Sequence, residues 1–274
     1  MAQNKPNYRD VTSFMGEAVV DGAIERALNP TTQAGQPVGI GIQPQTIPIP
    51  IPLTISTSIN PIEYLQIPNS NIIIAKYEPD WTKGFNYEIA HKTVLNKGLF
   101  IPTPDIFMRH FLNVLSAYNS GGNLYDGNAN QVIGKELEDV YFHLIKDRIN
   151  GGAWSWLNGK FVTGTGANNL DLEKISGIDA SGNLITNKTR LEQCVSEKCF
   201  IDLTFNSQGL PVNKSQNQSY IQGQNVYFWI PVKDKVARFD ADSGRAYLCC
   251  DGDPADSYAS LGVFTCAEGV AKSP

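Results

Sequence analysis

From Val236 to Cys250 every second residue is small or apolar: Phe239, Ala241 and Ser243, then Ala246, Leu248 and Cys250. A beat of two dictates strands, because alternate side chains leave opposite faces of an extended backbone. It turns those six residues inward and projects Arg238, Asp240, Asp242, Arg245, Tyr247, Cys249 and Asp251 outward, with a turn near Ser243 and Gly244. The outward set is unusual for a solvated face, which draws on Lys, Glu and Gln; Asp, Arg, Tyr and Cys include several good contact-makers. From Val236 to Ala267 there is no Lys, Gln, Glu, Met or Trp, although these five types supply about a sixth of the chain and about five of them would be expected.

The upstream sequence reads as scaffold. Tyr87 to Asn96 has a helical pattern that stops at Gly98. A second helix starts with Thr103 as N-cap, Pro104 at the first helical position and Asp105 at the positive helix end, and puts Phe107, Phe111, Val114, Leu115 and Tyr118 on one face. A third, Lys135 to Ile149, spaces Leu137, Val140, Tyr141, Leu144 and Ile145 the same way before Gly151 and Gly152. Ala153 to Val162 then switches to aromatic and β-branched residues, a strand or a wedge packed under the helices, in which Asn158 and Gly159 suit a tight turn. Short hairpins or an insertion loop are expected from Thr163 to Arg190, a strand and hairpin turn from Cys199 to Gly209, and a strand from Asn225 to Ile230. Before all of these, Val11 to Leu28 reads as a short helix. Ile47 to Pro52 alternates Ile with a ring that lacks a donor, so it reads as a polyproline-like strap. Asn71 to Ala75 suits a buried strand or a loop anchor.

A chain of 274 residues can bury an ample core. A net charge of -5, with its 22 basic residues scattered, argues against nucleic acid as a partner. No apolar run approaches the roughly 20 residues of a membrane span. The segment from Met1 to Pro6 lacks the apolar stretch of a secretion signal. Five cysteines are an odd number, so no disulfide framework is expected, although Cys194 and Cys199 are spaced for a local bridge if the protein is exported. Cys250 reads as core and Cys249 as a surface residue.

At Phe228, Trp229, Ile230 and Pro231, in the alternating frame from Phe239 to Cys250, at Pro254 and at Ser260 to Val263, the sequence resembles the variable proteins of archaeal diversity-generating retroelements. The two longer helices followed by Trp154, Trp156 and Leu157 are similar to that family's upstream scaffold. The family varies by adenine-targeted substitution in codons ending in a pyrimidine, which Lys, Gln, Glu, Met and Trp codons never do. One departure is Phe264, where a basic residue is expected after Leu261, Gly262 and Val263. The resemblance implies an α+β, C-type lectin-like fold, with two or three amphipathic helices packed on small antiparallel sheets and C-terminal variable strands and loop. It implies an N-terminal extension over residues 1–70 and a domain over 71–274, with a variable region of about 236–267. Gly244, Gly252, Asp253, Asp256, Ser257 and Tyr258 then join the outward set as ligand-binding positions, and Leu261 and Gly262 join the frame that holds them. Tyr247 and Tyr258 are the expected hot spots, since an aromatic ring with a polar tip gives much contact area for few rotatable bonds. The implied role is binding rather than catalysis, without cofactor or metal, to a macromolecule on another cell or particle, and display at the cell surface or outside it.

Two other classes compete. Asp251, Asp253 and Asp256 invite a calcium-dependent carbohydrate lectin, but Pro254 breaks the spacing of a calcium loop. Asp240 and Asp242 hint at a metal-dependent enzyme. His110 and His143 adjoin apolar helix faces, where packed or capping histidines are common, and no hydrolase, zinc-protease or phosphate-loop motif is present.

Overall fold

In the computed structural model, described over residues 53–55, 59–145, 152–242 and 244–271, helix α1 (Tyr87–Leu95) starts where the Asn86 side chain accepts from Ile89 N at 2.9 Å. Helix α2 (Pro104–Ser120) begins with Pro at its first turn and ends at Gly121, whose φ of 68° is the left-handed closure glycine allows. Thr103 has the extended backbone of an N-cap, but its hydroxyl donates to Asp105 Oδ1 at 2.6 Å and does not cap the helix. Helix α3 (Gly134–Ile145) runs beside α2, with Tyr118 and Tyr141 stacked at 3.8 Å. The expected end of α3 at Ile149, the helix from Val11 to Leu28, the strap from Ile47 to Pro52 and Ser243 lie outside the described residues.

Eleven strands among the described residues form two sheets. In the smaller, β1 (Leu53–Ile55) pairs with β11 (Cys266–Ala271), then come β3 (Ile72–Ala75) and β2 (Tyr64–Gln66), all antiparallel. The expected boundary at residue 70 falls inside this sheet, because β2 precedes it and pairs with β3 beyond it. The larger sheet contains β4 (Trp154–Thr163), β5 (Leu170–Ile178), β6 (Leu184–Arg190), β7 (Cys199–Asp202), β8 (Asn225–Trp229), β9 (Val236–Ala241) and β10 (Ala246–Gly252), in the order β6-β5-β4-β9-β10-β8-β7. It departs from the expected small antiparallel sheets: it has seven strands, and β10 lies parallel to β8. The molecule is thus mixed α+β. No helix among the described residues is long and apolar enough to cross a membrane.

Local chemistry explains one strand connection. At the β5–β6 turn the Asp179 carboxylate accepts from Ser181 N and Asn183 N, both at 2.8 Å, while Gly182 takes a φ of 83°. Asn158 and Gly159, by contrast, make no turn. They lie inside β4 at a register shift, and the Asn158 side chain binds both the N–H and the carbonyl of Ile175 at 2.8 Å.

The seven-stranded sheet has a core on each side. Helices α2 and α3 cover one face, where Phe107 and Phe111 pack on Phe239 at 4.7 and 5.3 Å. The same core takes Phe264, fully buried 5.3 Å from Phe107, so the position where a basic residue was expected is interior. On the other face α1 and the segment around Leu261 cover Trp156 and Val236. His110 packs beside Phe107 and Phe264 with neither ring nitrogen hydrogen-bonded among the described residues, and burial pushes it down to about 3. His143 holds Glu78 at 2.6 Å. All five cysteines, Cys194 and Cys199 among them, are free thiols.

Candidate functional site

Strands β9 and β10 occupy the middle of the large sheet, which fixes what stands beside their outward side chains. Register places Trp154, Asp240, Tyr247, Tyr227 and Phe200 in one row across β4, β9, β10, β8 and β7. A second row holds Trp156, Arg238, Cys249 and Trp229. The expected outward residues therefore share a face with five aromatic residues that were not among the expected site residues. Alternation in Asn225 to Ile230 could have found two of them, since it sets Tyr227 and Trp229 opposite Val226 and Phe228.

Cations of the chain itself cap these rings. The Arg245 guanidinium lies 4.9 Å from the Tyr247 ring and 5.0 Å from Tyr227, Lys198 lies 3.9 Å from Trp229, and Arg238 lies 5.5 Å from Trp154. Beneath Arg238 sits a polar knot. Arg238 Nε donates to Asp240 Oδ2 at 2.9 Å, Cys249 Sγ donates to the same oxygen at 3.4 Å, and Arg238 Nη1 reaches Asp256 Oδ2 at 3.6 Å. Asp240 Oδ1 is buried without a hydrogen-bond partner among the described residues. Burial drives the Asp240 carboxyl up to about 6 against the opposing pull of Arg238, and it drives the Cys249 thiol well above its ordinary value.

Three expected contact positions are therefore not exposed. Asp240 is 4% and Cys249 6% accessible, with Arg238 bonded to the Asp240 carboxylate and Trp154 and Trp156 of β4 in the same rows. The surface reading of Cys249 is corrected: its thiol belongs to the buried knot. Gly252 is also buried, and a Cβ there would stand 3.1 Å from Val236 O and 3.3 Å from the Trp156 ring, so a side chain has little room. Asp242 and Gly244 are exposed, with Asp242 closing the hairpin: its Oδ1 accepts from Gly244 N at 2.7 Å and Arg245 N at 3.0 Å, and its Oδ2 accepts from the Tyr247 hydroxyl at 3.1 Å.

The end of β10 and the loop after it spread their acids over separate cations. Asp251 meets Lys198 at 3.4 Å, Asp253 meets Lys235 at 2.6 Å, and Asp256 meets Arg238. Among the described residues no three His, Cys, Asp or Glu side chains converge as cation ligands. Ser257 and Tyr258 are exposed, Tyr258 by 54% with its ring 6.0 Å from Trp154. The frame residues Phe239, Ala241, Ala246, Leu248, Cys250 and Leu261 are at most 2% accessible. Gly262 is buried against Glu78 and Lys83, its carbonyl accepting from Trp156 N at 3.1 Å. Comparison with protein-family models, curated proteins and solved structures found no match to this chain.

Proposed function

We propose that the chain is a ligand-binding display protein of the diversity-generating retroelement kind, built on a C-type lectin-like scaffold, with the outer face of β9–β10 and the loop to Tyr258 as its contact surface. The observation that supports this reading is the division of one hairpin. Its inward residues are sealed into a core, while Asp242, Arg245, Tyr247 and Asp251 remain accessible on a preordered sheet, joined by Asp253, Asp256, Ser257 and Tyr258 on the loop. Side chains held this way lose little conformational freedom on contact, and aromatic residues among cations and carboxylates suit a protein surface as ligand. The partner is a macromolecule on another cell or particle, and no catalytic step is assigned.

Sequencing the DNA that flanks the gene tests the origin of the surface. A near-copy of the 3′ coding segment beside a reverse transcriptase gene is expected, with mismatches confined to adenines of the copy; a flank without one sinks the retroelement assignment. Binding is tested separately by screening the chain against a panel of surface proteins, where Tyr247→Ala and Tyr258→Ala are each expected to weaken capture about tenfold.

A further inference from the structure

The outer face of the large sheet is divided by α1 and the segment after β10, which meet where Tyr87 N donates to Pro254 O at 3.1 Å. Beyond that wall, over β4, β5 and β6, lies a cleft of about 390 Å³ whose lining includes Lys160, Glu173, Ile175, Leu184, Thr186 and Pro254. Lys160 reaches this face because it pairs in register with Val236 and Glu173.

Charge distinguishes the cleft from an ordinary surface groove. Glu173 is engaged by Lys188 at 3.4 Å and by the Thr186 hydroxyl at 3.4 Å, and Glu88 at the mouth is engaged by Lys92 at 2.8 Å. Lys160 is half-buried and its ammonium has no hydrogen bond or ion pair among the described residues, although Glu173 is its register neighbour. The two lining acids are thus matched by other cations, leaving one ammonium partly withdrawn from water without a counter-ion, which favours an anion beside it. A single lysine flanked by Ile175, Leu184 and Pro254 suits a carboxylate with an aliphatic neighbour; a phosphate calls for more donors than these walls hold.

We propose that this cleft is a second ligand subsite that takes an acidic side chain of a polypeptide, flanked by aliphatic residues, with Lys160 holding the carboxylate. The inference does not rest on the display reading of β9–β10. Amide shifts of the isotopically labelled chain are followed during titration with N-acetyl-Ile-Glu-Ile-amide and with its Gln counterpart. Saturable shifts are expected at Lys160, Leu184, Thr186 and Ala255. Affinity should fall about tenfold for the Gln peptide or for Lys160→Met, and Lys160→Arg should restore it. Absence of shifts with millimolar peptide, equal binding of the two peptides, or unchanged affinity in Lys160→Met overturns the proposal.

Discussion

Where Asp240 and Cys249 stand, the two faces of the β9–β10 hairpin differ less in how much water they see than in how their side chains are satisfied. On the core face Phe239, Ala241, Ala246, Leu248 and Cys250 are held by packing alone. On the outer face Asp240 and Cys249 are nearly as buried, yet they are held by polar contact with Arg238 and with each other. A residue of the first kind can be exchanged only at the cost of a cavity. One of the second kind depends on whether its partners are exchanged with it. Freedom to vary on this sheet therefore belongs to groups of residues rather than to single positions, except at the hairpin tip and the loop.

The contrast can be broken in several ways. Phe239→Ala removes a ring wedged between Phe107 and Phe111, and urea unfolding should show a loss of about 3–5 kcal/mol. Asp240→Ala leaves the Arg238 guanidinium beside Trp154 with Asp256, at 3.6 Å, as its remaining counter-ion and should cost about 3 kcal/mol, whereas replacing Arg238 and Asp240 together by Met and Leu should cost far less. If the single and double variants unfold alike, the knot is not a unit.

The acid limb sharpens the same point. Burial keeps the Asp240 carboxyl at about 6 in the folded chain, against about 3.9 when unfolded, so the folded state retains a proton that the unfolded state releases between those values. Stability should therefore fall as pH rises from about 4 to about 6, by on the order of 2 kcal/mol, and the difference between wild type and Asp240→Asn in parallel melts isolates that contribution. At the small end, Tyr247→Ala should change stability by less than about 1 kcal/mol and Asp251→Ala by less than about 0.5 kcal/mol. Added calcium should leave the melting temperature unmoved, because each loop carboxylate already has a cation of its own.

Features set by local chemistry were legible in the sequence: α2 from Pro104 and its apolar stripe, and the in-and-out order of β9 and β10, while the stretch from Thr163 to Arg190 was legible only as short hairpins or an insertion loop. Features set by distant segments were not. Alternation assigns Asp240 and Cys249 to the outer face correctly, but it carries no sign of Trp154 and Trp156, which arrive in the same rows from more than eighty residues upstream. Asn158 and Gly159 looked like a turn because the dipeptide carries no sign of Ile175, whose backbone Asn158 satisfies from the neighbouring strand. Phe264 could not be placed until Phe107 and His110 were seen beside it.

Strand β11 has a bearing on how the molecule is made. It lies between β1 and β3, so the four-stranded sheet joins segments from opposite ends of the described chain. Such long-range closure is slow, and during synthesis it must wait until Cys266–Ala271 has left the ribosome. A frameshift or stop codon anywhere from Val236 onward removes or scrambles that strand and leaves Ile73 and Ile74 without their partners Ala267 and Cys266. Only messages read in frame through the whole hairpin and loop give a chain that can close, so folding itself proofreads the segment proposed as the contact surface.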